Sequence, residues 1–200
     1  DLAVLARELA PALDAHPVDV MIVLGDRIET LMAAVVTVAS QVFLAHIHGG
    51  DRAPGEFDDA NRHAITKLAH VHFPATRTAA ERIARMGEEE GRICMVGSPG
   101  IDSILNEPPV TDAELAEVVE PIGEPYVVIL QHPCGLGPAR EAAAAEAVCQ
   151  GVVDAGLRAL CVEPNGDPSR DAIGSTLHKF RCRHGWPIFP NVARRVFLRL

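Results

Sequence analysis

Aromatic side chains are scarce in this sequence of 200 residues: Trp186 and Tyr126 are single copies, and aromatics make up 4% of the chain. Base-stacking surfaces and carbohydrate-stacking platforms have little to work with, so any sugar recognition would have to be polar. Positive charge is also short. Lysine and arginine number 18 against 27 acidic residues, a net charge of −9 at pH 7, which argues against nucleic acid or an anionic membrane surface as a partner. No stretch approaches the roughly 20 consecutive apolar residues of a membrane-spanning helix, and the opening DLAVLARELAPALDAHP reads as an amphipathic helix rather than a signal peptide. The five cysteines (Cys94, Cys134, Cys149, Cys161 and Cys182) are odd in number and far apart, with no CxxC pair. They fit neither a disulfide framework nor a zinc knuckle, and a reducing cytoplasm is the expected location.

What is present is a βα rhythm in a chain that is 48% hydrophobic, enough to bury a real core. Apolar periodicity predicts a helix over 2–13, a strand over 18–24, a helix over 28–40 and a strand over 42–47. A helix over 58–68, a short strand over 70–74, a helix over 76–86 and a strand over 93–96 follow, the last closed by Gly97-Ser98-Pro99-Gly100. Strands alternating with helices predict an α/β fold with parallel sheets covered on both faces. The pattern weakens between Asn106 and Glu124, where proline pairs and acidic residues predict an interdomain connection over 108–124. A second alternation then begins, with strands over 126–130 and 159–162 and helices over 137–154 and 171–177. The expected organisation is a first Rossmann-like domain over 1–107 and the beginning of a second over 125–200, with both ends reading as cut.

Three places concentrate chemistry. Gly25-Asp26-Arg27 follows the apolar run Val20–Leu24, at the carboxyl end where open α/β sheets hold ligands; Asp26 reads equally as a simple helix cap. The next strand ends in His46-Ile47-His48-Gly49-Gly50-Asp51. Period-2 geometry predicts both imidazoles on one face, and the glycines let backbone amides approach a ligand. An HxH pair offers two metal ligands or an acid-base and phosphate contact, and spacing leaves the choice open. Asp58-Asp59 begins a helix with Arg62-His63 one turn later, placing Arg62 to reach back to the carboxylates. The bland alternative is capping with an exposed ion pair.

Taken together, GDR after a strand, HIHGGD at 46–51, DDANRHAITKLAHVHFPAT at 58–76 and VGSPGID at 96–102 resemble the hydrolysing UDP-N-acetylglucosamine 2-epimerases of bacterial sialic acid synthesis and of the bifunctional animal enzyme. The likeness covers residues 1–132 well and 133–200 loosely. It implies a two-domain fold of the glycosyltransferase-B type with substrate held between two Rossmann-like halves, both incomplete in this sequence. It also implies a reaction: the C2 proton of a UDP-amino sugar is abstracted, UDP is expelled to leave a glycal, and water adds from the other face. Neither a metal nor a nicotinamide cofactor is needed. Carried over to this sequence, the resemblance puts Asp26, Asp58, Asp59 and His132 in catalytic roles. Arg27, His48, Gly49, Asp51, Arg62 and His63 fall to substrate binding, as do Asn165 and Asp167 of a PNGDPSR stretch similar to the family's PNxDxGS. His48 stands where the animal enzyme and the non-hydrolysing relatives have glutamate, as in many bacterial hydrolysing members, and Asp51 replaces a more usual glutamate. Full-length members tend to be homo-oligomers, dimers or tetramers.

Alternatives in substrate and class remain. The substrate is UDP-N-acetylglucosamine or the related UDP-diacetamido-trideoxyhexose of other nonulosonic acid pathways. In place of an active enzyme stands a sugar-nucleotide-binding remnant or, further off, a metal-dependent hydrolase built on His46 and His48. His16, His70, His72, His178 and His184 receive no role, and the basic run Lys179–His184 reads as solvated surface or a frayed end.

Overall fold

The computed structural model describes residues 2–52, 57–119 and 125–200. The chain divides into two compact units, Asp1–Leu105 and Asn106–Leu200, each built on a three-stranded parallel sheet.

Unit 1 opens with helix α1 (Leu2–Ala15) and alternates β1 (Val20–Leu24), α2 (Ile28–Ala39), β2 (Phe43–Ile47), α3 (Phe57–Leu68), β3 (Val71–Phe73) and α4 (Arg77–Arg85); α5 (Pro99–Asn106) follows a 3-10 turn at Glu90–Arg92. The strands pair in chain order, and the register sets Val23, His46 and His72 side by side. On that face Val23 and Leu44 pack with Ala34 of α2 and Ile65 of α3 into a buried cluster. Side chains alternate along a strand, so Val20, Ile22 and Leu24 point the other way, where they are 48%, 59% and 56% exposed. The strand expected over 93–96 shrinks to a single bridge between Ile93 and His72. Cys94 N–H donates to the His72 carbonyl and Val96 N–H to that of Pro74, but proline has no N–H to return, so the ladder stops.

Unit 2 holds α6 (Asp112–Val118), β4 (Tyr126–Leu130), α7 (Pro138–Asp154), β5 (Arg158–Val162), α8 (Arg170–His184), β6 (Ile188–Phe189) and α9 (Arg194–Arg199). Its sheet is covered on both faces. Val127, Ile129, Ala159, Cys161 and Ile188 pack under α7 and α8, against Cys149, Ile173, Leu177 and Phe180, while Val128, Leu160, Val162 and Phe189 pack against Leu115 of α6 and Val196 and Phe197 of α9. Fully burying side chains such as Leu160, Leu177 and Phe180 stabilises the unit by roughly 1.5–3 kcal/mol each.

Three expectations change here. Part of the segment expected as an interdomain connection forms α6, started by a capping box in which Thr111 and Glu114 satisfy each other's backbone N–H groups. Arg195 holds it to α9 through the Pro108 and Pro109 carbonyls, and Arg199 through Asp112 at 2.7 Å; residues 120–124 lie outside the described residues. After α8, where periodicity predicts no element, the chain forms β6 and α9. The helix expected over 171–177 runs on to His184 because Phe180 faces inward and stacks with Trp186 at 5.6 Å, while the rest of the basic run at 179–184 is exposed as expected; Gly185 then ends the helix in the left-handed conformation.

Candidate active site

The first site lies at the carboxyl ends of β1 and β2. His46, at register with Val23 on the covered face, is fully buried. Its Nε2 lies 2.8 Å from the Gly25 carbonyl and its Nδ1 3.1 Å from the Thr66 hydroxyl of α3. A carbonyl only accepts, so Nε2 carries the proton and Nδ1 accepts from Thr66. Burial is the main reason its pKa falls to about 4, with the Gly25 hydrogen bond opposing and the neighbouring His72 and His48 adding to the fall. His46 is thus a neutral staple that fastens the end of β1 to α3, and both its nitrogens are taken. That counts against an HxH metal pair. Among the described residues no group of three or more His, Cys, Asp or Glu could hold a metal ion.

The staple fixes the loop that carries Asp26. Arg27 rather than Asp26 occupies the cap position of α2, without a side-chain cap bond, and its exposed guanidinium lies 3.4 Å from Glu29. Asp26 instead forms an ion pair with Arg62 of α3. Arg62 therefore reaches across to β1, not back along its own helix; Asp59 is 3.1 Å from Arg52 and Asp58 stands half-exposed in the first turn of α3. Burial lowers the Arg62 guanidinium pKa below its ordinary value. The Asn61 Nδ2, Arg62 Nε and His63 Nδ1 atoms are buried without a hydrogen-bond partner. Buried polar atoms are paired in native proteins as a rule, so this turn of α3 stands out.

His48 does not share the face of His46. β2 ends at Ile47, and His48 takes a left-handed φ of 64°, a conformation that costs a non-glycine residue about 1–3 kcal/mol. Its backbone N–H donates to Phe73, its Nδ1 lies 3.1 Å from Asp51 Oδ2, and its Nε2 lies 3.2 Å from Ser98 Oγ. The two glycines after it serve packing before ligand approach. A Cβ at Gly49 would come within 2.9 Å of Thr66 Oγ1 and 3.0 Å of His46 Nδ1; one at Gly50, where φ is 79°, would come within 2.4 Å of the Ala79 carbonyl. Beside this site, buried His72 pairs with Glu88 at 3.3 Å, and Lys67 pairs with the same carboxylate. Burial acts to raise the Glu88 pKa, but Lys67 and His72 outweigh it and hold the carboxyl below its usual value.

In unit 2 the three expected residues do come together. His132 Nδ1 accepts the Asn165 backbone N–H at 3.1 Å, and Asn165 Nδ2 donates to Asp167 Oδ2 at 2.6 Å. They follow β4 and β5, and His132 and Asn165 line a crevice of about 550 Å³ with Asn191 and Arg194. A ligand crevice outside the carboxyl ends of parallel strands is where α/β folds bind.

Sequence reasoning missed Thr66, Ser98 and Glu141. Thr66 follows Arg62 by one helical turn, which places both on one face of α3. Glu141, in the first turn of α7, reads as an ordinary charge at a helix start; it is instead 1% exposed and accepts the Cys134 and Leu136 N–H groups at 2.7 and 3.0 Å, pinning the loop after His132.

The sequence matches the UDP-N-acetylglucosamine 2-epimerase family over residues 2–200. The chain belongs to that family. It is 33% identical over 163 residues to the hydrolysing UDP-N,N'-diacetylbacillosamine 2-epimerase of Legionella pneumophila, covering 81% of this chain and 43% of the relative. It is 31% identical over 185 residues to the UDP-N-acetylglucosamine 2-epimerase of Neisseria meningitidis, covering 91% and 48%. The chain therefore spans about half the length of the curated relatives it matches. Among solved structures, the Methanocaldococcus jannaschii UDP-GlcNAc 2-epimerase in complex with UDP-GlcNAc and UDP superposes with a TM-score of 0.79 at 18% identity, covering 98% of this chain and 56% of that one. The Neisseria meningitidis enzyme bound to UDP-GlcNAc gives 0.76 at 15% identity, covering 98% and 56%. These likenesses establish the fold as Rossmann-like parallel sheets of the glycosyltransferase-B type. Among the described residues no helix is long and apolar enough to cross a membrane.

Proposed function

We propose that the protein carrying this chain is a hydrolysing UDP-amino-sugar 2-epimerase that removes the C2 proton, expels UDP and hydrates the resulting glycal. The observation that carries this reading is the Asp26 ion pair with Arg62 at the carboxyl end of β1, in a loop stapled by His46. Carboxylates suit proton transfer at carbon when a neighbouring cation and partial burial fix their ionisation and aim. Asp58 and Asp59 at the start of α3 are the other acid-base candidates. Arg62, His63, His48 and Asp51, together with the backbone around Gly49 and the exposed Arg27, are assigned to holding the substrate. The partnerless nitrogens of Asn61, Arg62 and His63 support that assignment. In unit 2, His132, Asn165 and Asp167 line up for the nucleotide end, His132 being the acid-base candidate there.

Two substrates fit the reading: UDP-N-acetylglucosamine, and the UDP-diacetamido-trideoxyhexose acted on by the Legionella relative. The proposal extends to a cytoplasmic homo-oligomer acting without a metal. Proton NMR of the full-length protein in deuterium oxide with each UDP-sugar, with and without EDTA, tests it. Free UDP and a 2-epimeric free sugar carrying deuterium at C2 in both samples are expected. A product that keeps its UDP would replace hydrolysis with simple epimerisation, and loss of activity in EDTA would overturn the metal-free mechanism.

A further inference from the structure

We propose that Asp51, His48 and Ser98 form a proton relay serving the hydration half of the reaction, with the Ser98 hydroxyl as the atom that receives the proton released by water. The relay rests on the epimerase reading above.

The geometry has the three parts such a device needs. Asp51 Oδ2 lies 3.1 Å from His48 Nδ1, and a carboxylate accepts, so Nδ1 of the neutral imidazole carries the proton. Nε2 is then a free lone pair, 3.2 Å from Ser98 Oγ, whose hydroxyl donates to it. An orienting carboxylate, an imidazole fixed in one tautomer and a hydroxyl at the far end constitute the arrangement that raises the basicity of a hydroxyl oxygen. Ser98 sits immediately before α5, its carbonyl accepts the Ile101 and Asp102 N–H groups, and its side-chain oxygen lies against His48. His48 in turn leaves β2 through a left-handed conformation, with its backbone held by Phe73. A left-handed backbone at the residue that reaches the serine is the kind of local strain that functional contacts show.

The step balances as follows. C2 of the glycal takes a proton from a carboxylic acid of the site, the C1–C2 π pair becoming the new C–H bond. Water bonds to the electron-poor C1. Its surplus proton passes to Ser98 Oγ as the Ser98 proton passes to His48 Nε2, and the imidazolium is neutralised by Asp51. Elimination of UDP does not use this path.

The test separates the two halves. In full-length Ser98→Ala, UDP release in the first turnover should stay within about twofold of wild type, while free sugar appears ~10²-fold more slowly. The glycal should accumulate, visible by its vinyl proton. Ser98→Thr keeps the hydroxyl and should restore sugar formation. Nitrogen-15 shifts of His48 should report a protonated Nδ1 and a bare Nε2 in wild type, independent of turnover. Wild-type sugar formation in Ser98→Ala overturns the relay, as does an equal fall in UDP and sugar release that Ser98→Thr fails to repair. A wild-type protein that releases neither UDP nor sugar from either UDP-sugar overturns the epimerase reading itself, and the relay with it.

Discussion

The two sheets of this chain use the same parallel βα plan and differ in what covers them. In unit 2, α7 and α8 close one face and α6 and α9 the other, so alternate residues of β5 such as Leu160 and Cys161 are both fully buried. In unit 1, α2 and α3 cover the face of Val23 and Leu44, and the alternate residues Val20, Ile22 and Leu24 of β1 stay exposed. Unit 1 holds the denser polar network: an ion pair at Asp26, a buried staple at His46 and the linked Asp51, His48 and Ser98. Apolar burial organises unit 2, whereas in unit 1 buried polar groups do much of the positioning. Such groups position side chains well, and they leave a structure more sensitive to the loss of a single partner.

That contrast can be broken at defined points. The largest effect is expected for Asp26→Asn in the full-length protein, which removes the charge facing Arg62: turnover should fall ~10²–10⁴-fold, read by UDP release. Gly50→Ala puts a Cβ within 2.4 Å of the Ala79 carbonyl at a φ of 79°; clash and strain together should cost about 3 kcal/mol or more in denaturant unfolding. Gly174→Ala in α8 meets nothing within 4 Å and, as a helix-favouring change, should be neutral or stabilise by up to ~1 kcal/mol. Within unit 2, Glu141→Ala strands the Cys134 and Leu136 N–H groups and should destabilise by roughly 2–4 kcal/mol.

The pH dependence sharpens the comparison further. The native His46 pKa of about 4 lies below the ordinary 6.5, so the unfolded chain binds a proton that the native state refuses. The stabilisation is complete above pH 6.5 and is lost as pH falls from there towards 4. Between pH 7 and pH 5 unit 1 should lose about 2 kcal/mol, checked by melts of the wild type and of His46→Gln, which should flatten the profile. The smallest effect is expected for Ile22→Thr on the exposed face of β1: within about 0.5 kcal/mol in this chain, against roughly 2–5 kcal/mol for Leu160→Ala in the closed sheet.

Much of this was legible in the residues. Periodicity located β1, β2, β4, β5 and the helices between them because strands and helices impose different spacings on apolar side chains. It misplaced the ends that depend on neighbours: the segment after Glu90 lost its ladder to Pro74, and α8 ran on to His184 once Phe180 found the core. The motifs placed Asp26, His48, Asp51 and Arg62 near strand ends and helix starts, and His132 with Asn165 after β4 and β5. They could not tell which atoms meet. Arg62 was expected to turn back along its helix, yet it crosses to Asp26; His46 looked like half of a ligand pair, yet it spends both nitrogens on Gly25 and Thr66.

The sequence alone determined the alternation of elements, the acidic and aromatic-poor surface chemistry, and the set of polar residues available at the strand ends, because each follows from local spacing and composition. Tertiary structure alone decided the partners: the His46 staple, the Asp51, His48 and Ser98 contacts, and the hold of Glu141 on the loop after His132. Those bonds join residues whose separation in the chain carries no period. They form only when burial removes competing water and leaves each donor one acceptor within reach.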